Sequence, residues 1–142
     1  MSIEANKAVV RRWLNRETRM EVVDPGHYRV VDTPGIPDTD DFDTIMRYDE
    51  QDDSRKYLQD VTVDIGDMIA EGDKVVLRMS ATGTTTAPFT HITTGVTIPA
   101  GKTITRRIIT ILTVDDGKVV EERTHEDRLG VLEQLGLPPS IQ

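Results

Sequence analysis

The chain contains no cysteine among its 142 residues. This absence excludes disulfides, zinc–thiolate centres and thiol nucleophiles. No part of the sequence approaches the roughly 18 uninterrupted apolar residues that a membrane-spanning helix needs. Its start, "MSIEANKAVVRRWL", also lacks the basic segment and the following apolar segment of a secretory signal. The absence of a membrane span and of a secretory signal predicts a soluble, cytoplasmic protein with no membrane partner.

Basic residues are few relative to acidic ones. The chain has 17 Lys and Arg against 25 Asp and Glu, a formal net charge of −8. It has no basic run that could follow a phosphate backbone, so nucleic acid is not an expected partner. The 3 histidines are scattered without a ligand spacing such as His-x-x-x-His, so a metal site is not expected either.

The first part of the chain predicts helices and turns. Apolar residues between Ile3 and Leu14 follow helical spacing, and Ser2 is a candidate N-cap. The next stretch, "VVDPGHYRVVDTPGIPD", holds too much proline and glycine for a helix, so turns and short extended pieces are expected. A second helix is predicted to begin near Thr39, whose hydroxyl can cap it ahead of several aspartates.

The rest of the chain predicts a sheet and a final helix. Segments with a period of two, rich in Val, Ile and Thr, are "VTVDI", "KVVLRMSATGT", "KTITRRIITILTV" and "KVVEERTHED". Because "EGDK" and "DDGK" have the composition of tight hairpins, the last three segments are expected to form an antiparallel meander. The longer connection "TAPFTHITTGVTIPAG" is either a protruding loop or a continuation of the strands. "RLGVLEQLG" then returns to helical spacing.

Helices followed by an antiparallel sheet are the α+β pattern, which we expect to occupy residues 1–142 as a single domain. A strongly curved sheet with helices on its concave side would enclose a cone-shaped space. Side chains on the inner face of the last strands would point into that space.

The last predicted strand carries the candidate catalytic residues. Strict alternation predicts that Val119, Arg123, His125 and Asp127 share one face and that Glu122 lies on the other. A carboxylate beside an imidazole can divide the roles of base and donor that proton transfer next to a carbonyl requires. If the row of charges faces water instead, it is a solvated strand edge with weak surface ion pairs.

Asp127 and His125 are the candidates for this acid/base pair. Burial would raise the pKa of Asp127 and make it a better base. A nearby Arg123 would act in the opposite direction, and His125 would then be the better base. The sequence does not choose between these two assignments.

Several stretches resemble the SnoaL-like polyketide cyclase family of the NTF2-like superfamily: "NKAVVRRWL", "IAEGDKVVLRMSATGT", "IPAGKTITRRIITILTVDDGKVVEE" and "EDRLGVLEQLGLPP". The order and spacing of their motifs carry the resemblance, which covers about residues 6–16 and 61–139. It implies an NTF2-like cone with N-terminal helices packed on a strongly curved antiparallel sheet. It also implies ring closure by intramolecular aldol condensation, without metal or cofactor, and places the acid/base aspartate at Asp127.

Four residues are candidates for binding a small carbonyl-containing ligand. Trp13 lies on the buried stripe of the first helix and can also line a pocket. His27 and Tyr28 lie in the turn-rich segment, where they can reach the mouth of a cavity, and Arg123 lies on the same strand face as Asp127. The resemblance further predicts a homodimer, in which the mixed surface of the second long strand would form the contact.

Two other functions remain open at this point. The chain can be a non-catalytic NTF2-like module that binds a small ligand or serves dimerisation. Epoxide hydrolysis on the same fold would need an Asp-Arg-Asp set around a water, of which Arg123 and Asp127 are the evident members.

Overall fold

The structure, a computed structural model, describes residues 2–51, 54–90 and 95–136. Its first helix, α1 (Ile3–Leu14), begins where the sequence predicts, because the Ser2 hydroxyl accepts the Ala5 N–H at 3.1 Å. Three residues of α1 on the apolar stripe are buried: Val9, Val10 and Trp13.

The proline-rich segment forms turns and one short strand, as predicted. Its elements are 3₁₀ turns at Arg19–Val22 and Pro25–His27, followed by strand β1 (Arg29–Val30). Helix α2 (Phe42–Gln51) starts slightly later than expected. The Thr39 hydroxyl accepts the Asp41 N–H at 3.0 Å, so it stabilises the turn that leads into α2.

The remaining elements are, in chain order, α3 (Ser54–Tyr57), β2 (Leu58–Glu71), β3 (Lys74–Thr85), β4 (Phe89–Thr90), β5 (Thr97–Ile98), β6 (Thr103–Asp115), β7 (Lys118–Glu126) and α4 (Arg128–Gln134). The main sheet has the order β1-β7-β6-β3-β2, and β4 and β5 pair separately. Strand β1 runs parallel to β7, whereas the other neighbours are antiparallel. The α+β fold and the β3-β6-β7 meander are confirmed.

Helix α1 lies across four strands of the main sheet, β2, β3, β6 and β7. The face that it covers is called the inner face below, and the opposite one the outer face. Fully buried aliphatic side chains of the inner face pack with α1: Val75, Leu77, Leu112 and Val119. This core holds one end of the sheet against α1 and leaves the neighbouring part of the inner face for a cavity.

A β-bulge near the start of β7 changes which side chains face inward. Thr113 of β6 pairs with Glu121, but the next residue, Val114, pairs with Val119. Val120 is therefore one extra residue on β7. Because strand side chains alternate between faces, one inserted residue reverses the alternation beyond it.

The bulge overturns the predicted strand faces. Val119 belongs to the inner core, whereas Arg123 and His125, beyond the bulge, lie on the outer face. The inward-facing residues beyond the bulge are Glu122, Thr124 and Glu126. The prediction that Val119 shares a face with Arg123 and His125 is wrong for this reason.

Candidate active site

A cavity of about 290 Å³ lies between the inner face of β7, helix α2 and the turn-rich segment. Its apolar wall includes Trp13, Val23, Phe42, Ile45 and Met46. Its polar groups include Arg19, Tyr28, Arg106, Glu122, Thr124 and Glu126. An apolar enclosure with a few convergent polar groups is the usual form of a small-molecule site.

Glu122 is the central polar group of this cavity. Its Oε2 accepts the Tyr28 hydroxyl at 2.7 Å, and its Oε1 accepts the Thr124 hydroxyl at 3.0 Å. The Thr110 and Thr124 hydroxyl oxygens lie 3.1 Å apart. Since Thr124 uses its hydrogen on Glu122, the buried Thr110 donates to Thr124. Hydroxyl donors therefore orient the Glu122 carboxylate on both sides.

Tyr28 is held in its neutral form. Burial raises the pKa of its phenol well above the usual value, and the negative charge of Glu122 and the hydrogen bond to it act in the same direction. The positive charge of Arg19 opposes these effects without cancelling them. Tyr28 therefore remains a hydrogen-bond donor throughout the neutral pH range.

Arg19 brings a positive charge to the cavity wall. Its Nε donates to the Trp13 carbonyl oxygen at 2.7 Å, and its guanidinium carbon lies 4.3 Å from the centroid of the Trp13 ring. Burial and the charge of Arg16 lower the pKa of Arg19 from its usual value. A guanidinium nevertheless stays protonated in a protein.

Arg106 and Glu126 neutralise each other at another part of the cavity. Arg106 donates through Nε and Nη2 to Glu126 Oε2, at 2.9 and 2.7 Å. Within the described residues, Glu122 forms no ion pair with a cation. The two cavity glutamates thus differ, because Glu126 is bound to an arginine and Glu122 is bound to hydroxyl groups.

Two of the substrate-binding candidates, Trp13 and Tyr28, line the cavity. The third, His27, is exposed and its Nδ1 lies 2.8 Å from Asp24 Oδ2, so its ring is held in a surface turn. His27 does not line the cavity.

The other three candidates, Arg123, His125 and Asp127, are exposed and do not line the cavity. His125 Nε2 lies 3.0 Å from the Asp32 carbonyl oxygen. His125 and Asp127 instead line a second cavity of about 460 Å³ on the outer face. Their predicted catalytic roles stay predictions, and this placement does not support them.

Asp127 has a structural role at the start of α4. Its Oδ1 accepts the Gly130 N–H at 2.8 Å, so it is the N-cap of that helix. A β-carbon at position 130 would collide with the Asp127 carboxylate. The stretch "EDRLG" therefore contains a capping residue and the glycine that makes room for it.

Family comparison agrees with the fold. The model of the family described as "SnoaL-like polyketide cyclase" matches residues 47–135. The chain belongs to the SnoaL-like polyketide cyclase family. A comparison with curated proteins finds no match.

Solved structures share the NTF2-like fold. A protein from Jannaschia sp. CCS1 described as a SnoaL-like polyketide cyclase is 22% identical, with a TM-score of 0.74 over 98% of this chain and 97% of that chain. IdmH from Streptomyces antibioticus, described as a polyketide cyclase, is 22% identical, with a TM-score of 0.72 over 93% and 99%. An NTF2-like protein of unknown function from Burkholderia pseudomallei K96243 is 14% identical, with a TM-score of 0.65 over 95% and 98%.

Sequence reasoning missed Glu122, Thr124 and Arg19. Strict alternation places Glu122 on the face opposite the cavity, because nothing in "KVVEE" marks the bulge. Arg19 follows α1 in a segment without regular spacing, so no pattern indicates that it turns inward. The alternation of Glu122, Thr124 and Glu126 along the strand indicates that these residues share one face, but it does not indicate that this face lines the cavity.

Across residues 2–51, 54–90 and 95–136, no three His, Asp or Glu side chains come together as a metal-binding group. In the same ranges, no helix is long and apolar enough to cross a membrane.

The capping role of Asp127 predicts a difference between two substitutions. Asp127→Ala removes the acceptor for the Gly130 N–H, so we expect unfolding free energy to fall by about 1 kcal/mol. Asp127→Asn keeps an acceptor oxygen and should lose much less. Urea unfolding of both variants measures this difference. Equal stability of the alanine and asparagine variants would contradict the cap assignment.

A second prediction concerns Glu121 on the outer face. Burial by itself raises the pKa of Glu121, but hydrogen bonds from Arg123 and Arg29, at 2.7 and 2.8 Å, outweigh it and leave the pKa below its usual range. A lowered folded-state pKa contributes stability that is complete above the ordinary pKa of glutamate. That contribution disappears as pH falls through the folded-state value.

We therefore expect Glu121→Gln to be less stable than the parent at pH 7 and to approach it as pH falls below about 4. Urea unfolding at a series of pH values tests this. Glu133→Gln, an exposed change on α4, is the control and should show little pH-dependent difference. A stability difference that stays constant across this range would contradict the role of the two arginines.

Proposed function

We propose that the protein is a cofactor-independent enzyme that transfers a proton at a carbon next to a carbonyl group, as a cyclase or isomerase. Glu122 is the general base of this reaction. The observation that carries the proposal is a carboxylate in a cavity with a largely apolar lining, oriented by Tyr28 and Thr124 and not paired with a cation among the described residues. Membership of the SnoaL-like polyketide cyclase family supports the same class of reaction.

The groups present can carry the proton through a complete reaction. Glu122 removes a proton from the carbon next to the carbonyl, and the electron pair of the C–H bond forms an enolate. Once Glu122 is protonated, the Tyr28 hydroxyl is free to donate to the enolate oxygen. In an isomerase Glu122 returns the proton to another carbon. In an aldol cyclase the enolate carbon attacks a second carbonyl, and the proton goes to the new alkoxide.

This assignment differs from the aspartate that the sequence predicts. Asp127 is exposed and uses Oδ1 to cap α4, whereas Glu122 is half-buried and lines a cavity with a largely apolar wall. The cavity volume of about 290 Å³ lies at the lower end of the range for ligand pockets. A compact carbonyl compound therefore fits this cavity better than an extended polycyclic one.

Hydrogen–deuterium exchange tests the base directly. Cyclohexanone, acetophenone and 1-indanone are incubated with the protein in D₂O, and exchange next to the carbonyl is followed by NMR. We expect the parent to accelerate exchange of at least one ketone. Glu122→Gln should lower that acceleration about 10²- to 10⁴-fold, because it removes the base. Tyr28→Phe should cause a smaller loss, and Glu133→Gln, on the surface of α4, should retain it.

The same experiment separates the competing assignments. If Asp127→Asn abolishes exchange and Glu122→Gln retains it, the base is Asp127 and our assignment is wrong. If the parent binds the ketones but accelerates exchange of none of them, the protein is a non-catalytic binding module and the enzymatic proposal fails.

We also propose that two copies associate through the outer face of the sheet. Register places Ile69, Val76 and Ile111 in one row across β2, β3 and β6, and Ile109 lies nearby on β6. Ile69, Ile109 and Ile111 are exposed. The adjacent charges include both signs, as in the Arg78–Asp67 pair. A surface with an apolar row beside both positive and negative groups can complement itself across a two-fold axis.

A charge placed in this row should prevent association. We expect the parent to be a dimer by size-exclusion chromatography with light scattering. Ile111→Glu should shift it to the monomer, because an unpaired carboxylate is costly to bury. Leu129→Glu, an exposed apolar position on α4, is the matched control and should remain dimeric. A parent protein that is monomeric at every concentration would refute the proposed interface.

A further inference from the structure

Contacts with Trp13 hold Arg19 at the cavity wall and leave its Nη groups without a protein acceptor in the part of the chain that the structure describes. Its Nε is bound to the Trp13 carbonyl oxygen, and its flat face lies against the Trp13 ring. Within the described residues, it forms no ion pair with a carboxylate, and its Nη groups donate no hydrogen bond. The charges of Glu122 and Asp49 act on the guanidinium without forming an ion pair with it, so its Nη groups are still available to a ligand.

Two other arginines at the cavity wall contact carboxylates of the protein. Arg106 gives two hydrogen bonds to Glu126. Arg16 Nη1 lies 3.5 Å from Asp49 Oδ2. Among Arg16, Arg19 and Arg106, Arg19 is thus the one whose Nη groups contact no protein acceptor among the described residues.

We propose that Arg19 binds the carboxylate of the substrate, so that the cavity selects small carbonyl compounds that also carry a carboxylic acid. The inference rests on the proposed function for the reaction at the carbonyl, but it assigns a substrate class that the reaction alone does not require. Glu122 would act at the keto end of such a molecule, and Arg19 would hold the acid end.

The geometry of Arg19 favours a carboxylate over a single oxygen. The bond from Nε and the stacking on Trp13 restrict rotation of the guanidinium, so its two Nη groups form a fixed pair of donors. A pair of parallel N–H donors matches the two oxygens of a carboxylate, and a neutral amide or ester offers only one acceptor oxygen. The ordering of Arg19 before binding reduces the entropy that the complex loses.

Binding can be measured separately from catalysis. Levulinate, a keto acid, and levulinamide, its neutral counterpart, form a matched probe pair. Trp13 is the single tryptophan of the chain and lines the cavity beneath Arg19. Its fluorescence therefore reports occupancy of this site, and calorimetry gives an independent dissociation constant.

We expect the parent to bind levulinate at least about tenfold more tightly than levulinamide, since a charge-assisted bidentate pair is stronger than a neutral hydrogen bond. Arg19→Gln should reduce this preference to less than about twofold. Arg19→Lys should retain part of it, because the ammonium keeps the charge but loses the paired donors. Arg11→Gln removes an exposed arginine of α1 and should behave like the parent.

Three results would overturn the inference: equal affinity of the parent for the two probes, an acid preference that survives Arg19→Gln, or a preference without any change in Trp13 fluorescence. If Arg19→Gln does not fold, the parent probe pair and Arg19→Lys still decide the question. Glu122→Gln separates the two proposals. If this variant loses hydrogen–deuterium exchange but still prefers levulinate, both proposals are supported. If it retains exchange, the proposed base is wrong and the Arg19 inference is unaffected.

Discussion

The pairing of β7 with β6 is the constraint on which the candidate site depends. Backbone hydrogen bonds along this ladder fix the register, and the register places one extra residue, Val120, in β7. That single insertion turns Glu122 towards the cavity and Arg123 towards the outer face. Because the period of a strand is two, every side chain beyond the bulge changes face at once. A small change in strand pairing thus decides which charged side chains of β7 face the cavity.

The two carboxylates that face the cavity have different hydrogen-bond partners. Glu126 forms a structural ion pair with Arg106, which donates two hydrogen bonds to it. Glu122 receives hydroxyl groups from Tyr28 and Thr124, and these orient it without neutralising its charge. The buried Tyr28 stays protonated, so the same phenol can stabilise the carboxylate first and an enolate oxygen afterwards. This difference in partners is the physical basis for assigning the reaction to Glu122.

One of the motifs that carry the family resemblance has a structural explanation in this chain. Asp127 caps α4, and Gly130 leaves space for its carboxylate. Gln134 then exchanges hydrogen bonds with the backbone of Thr105, which fastens the end of α4 to β6. The spacing in "EDRLGVLEQLG" therefore sets how the last helix leaves the sheet. A motif can identify a fold through such contacts without supplying the residues that act in the cavity.

The sequence by itself determined the elements whose causes are local: the Ser2 cap of α1, the turns of the proline-rich segment, the hairpins of the meander and the helical spacing of α4. Each depends on spacing or backbone preference within a few residues, which a single chain displays. Only the tertiary structure decided what faces the cavity. The bulge arises from the pairing of two strands, and Tyr28 meets Glu122 across 94 positions of the chain. Arg19 turns inward because Trp13 supplies both a carbonyl oxygen and a ring face. Such contacts depend on how distant segments pack, and no local pattern in the sequence encodes them.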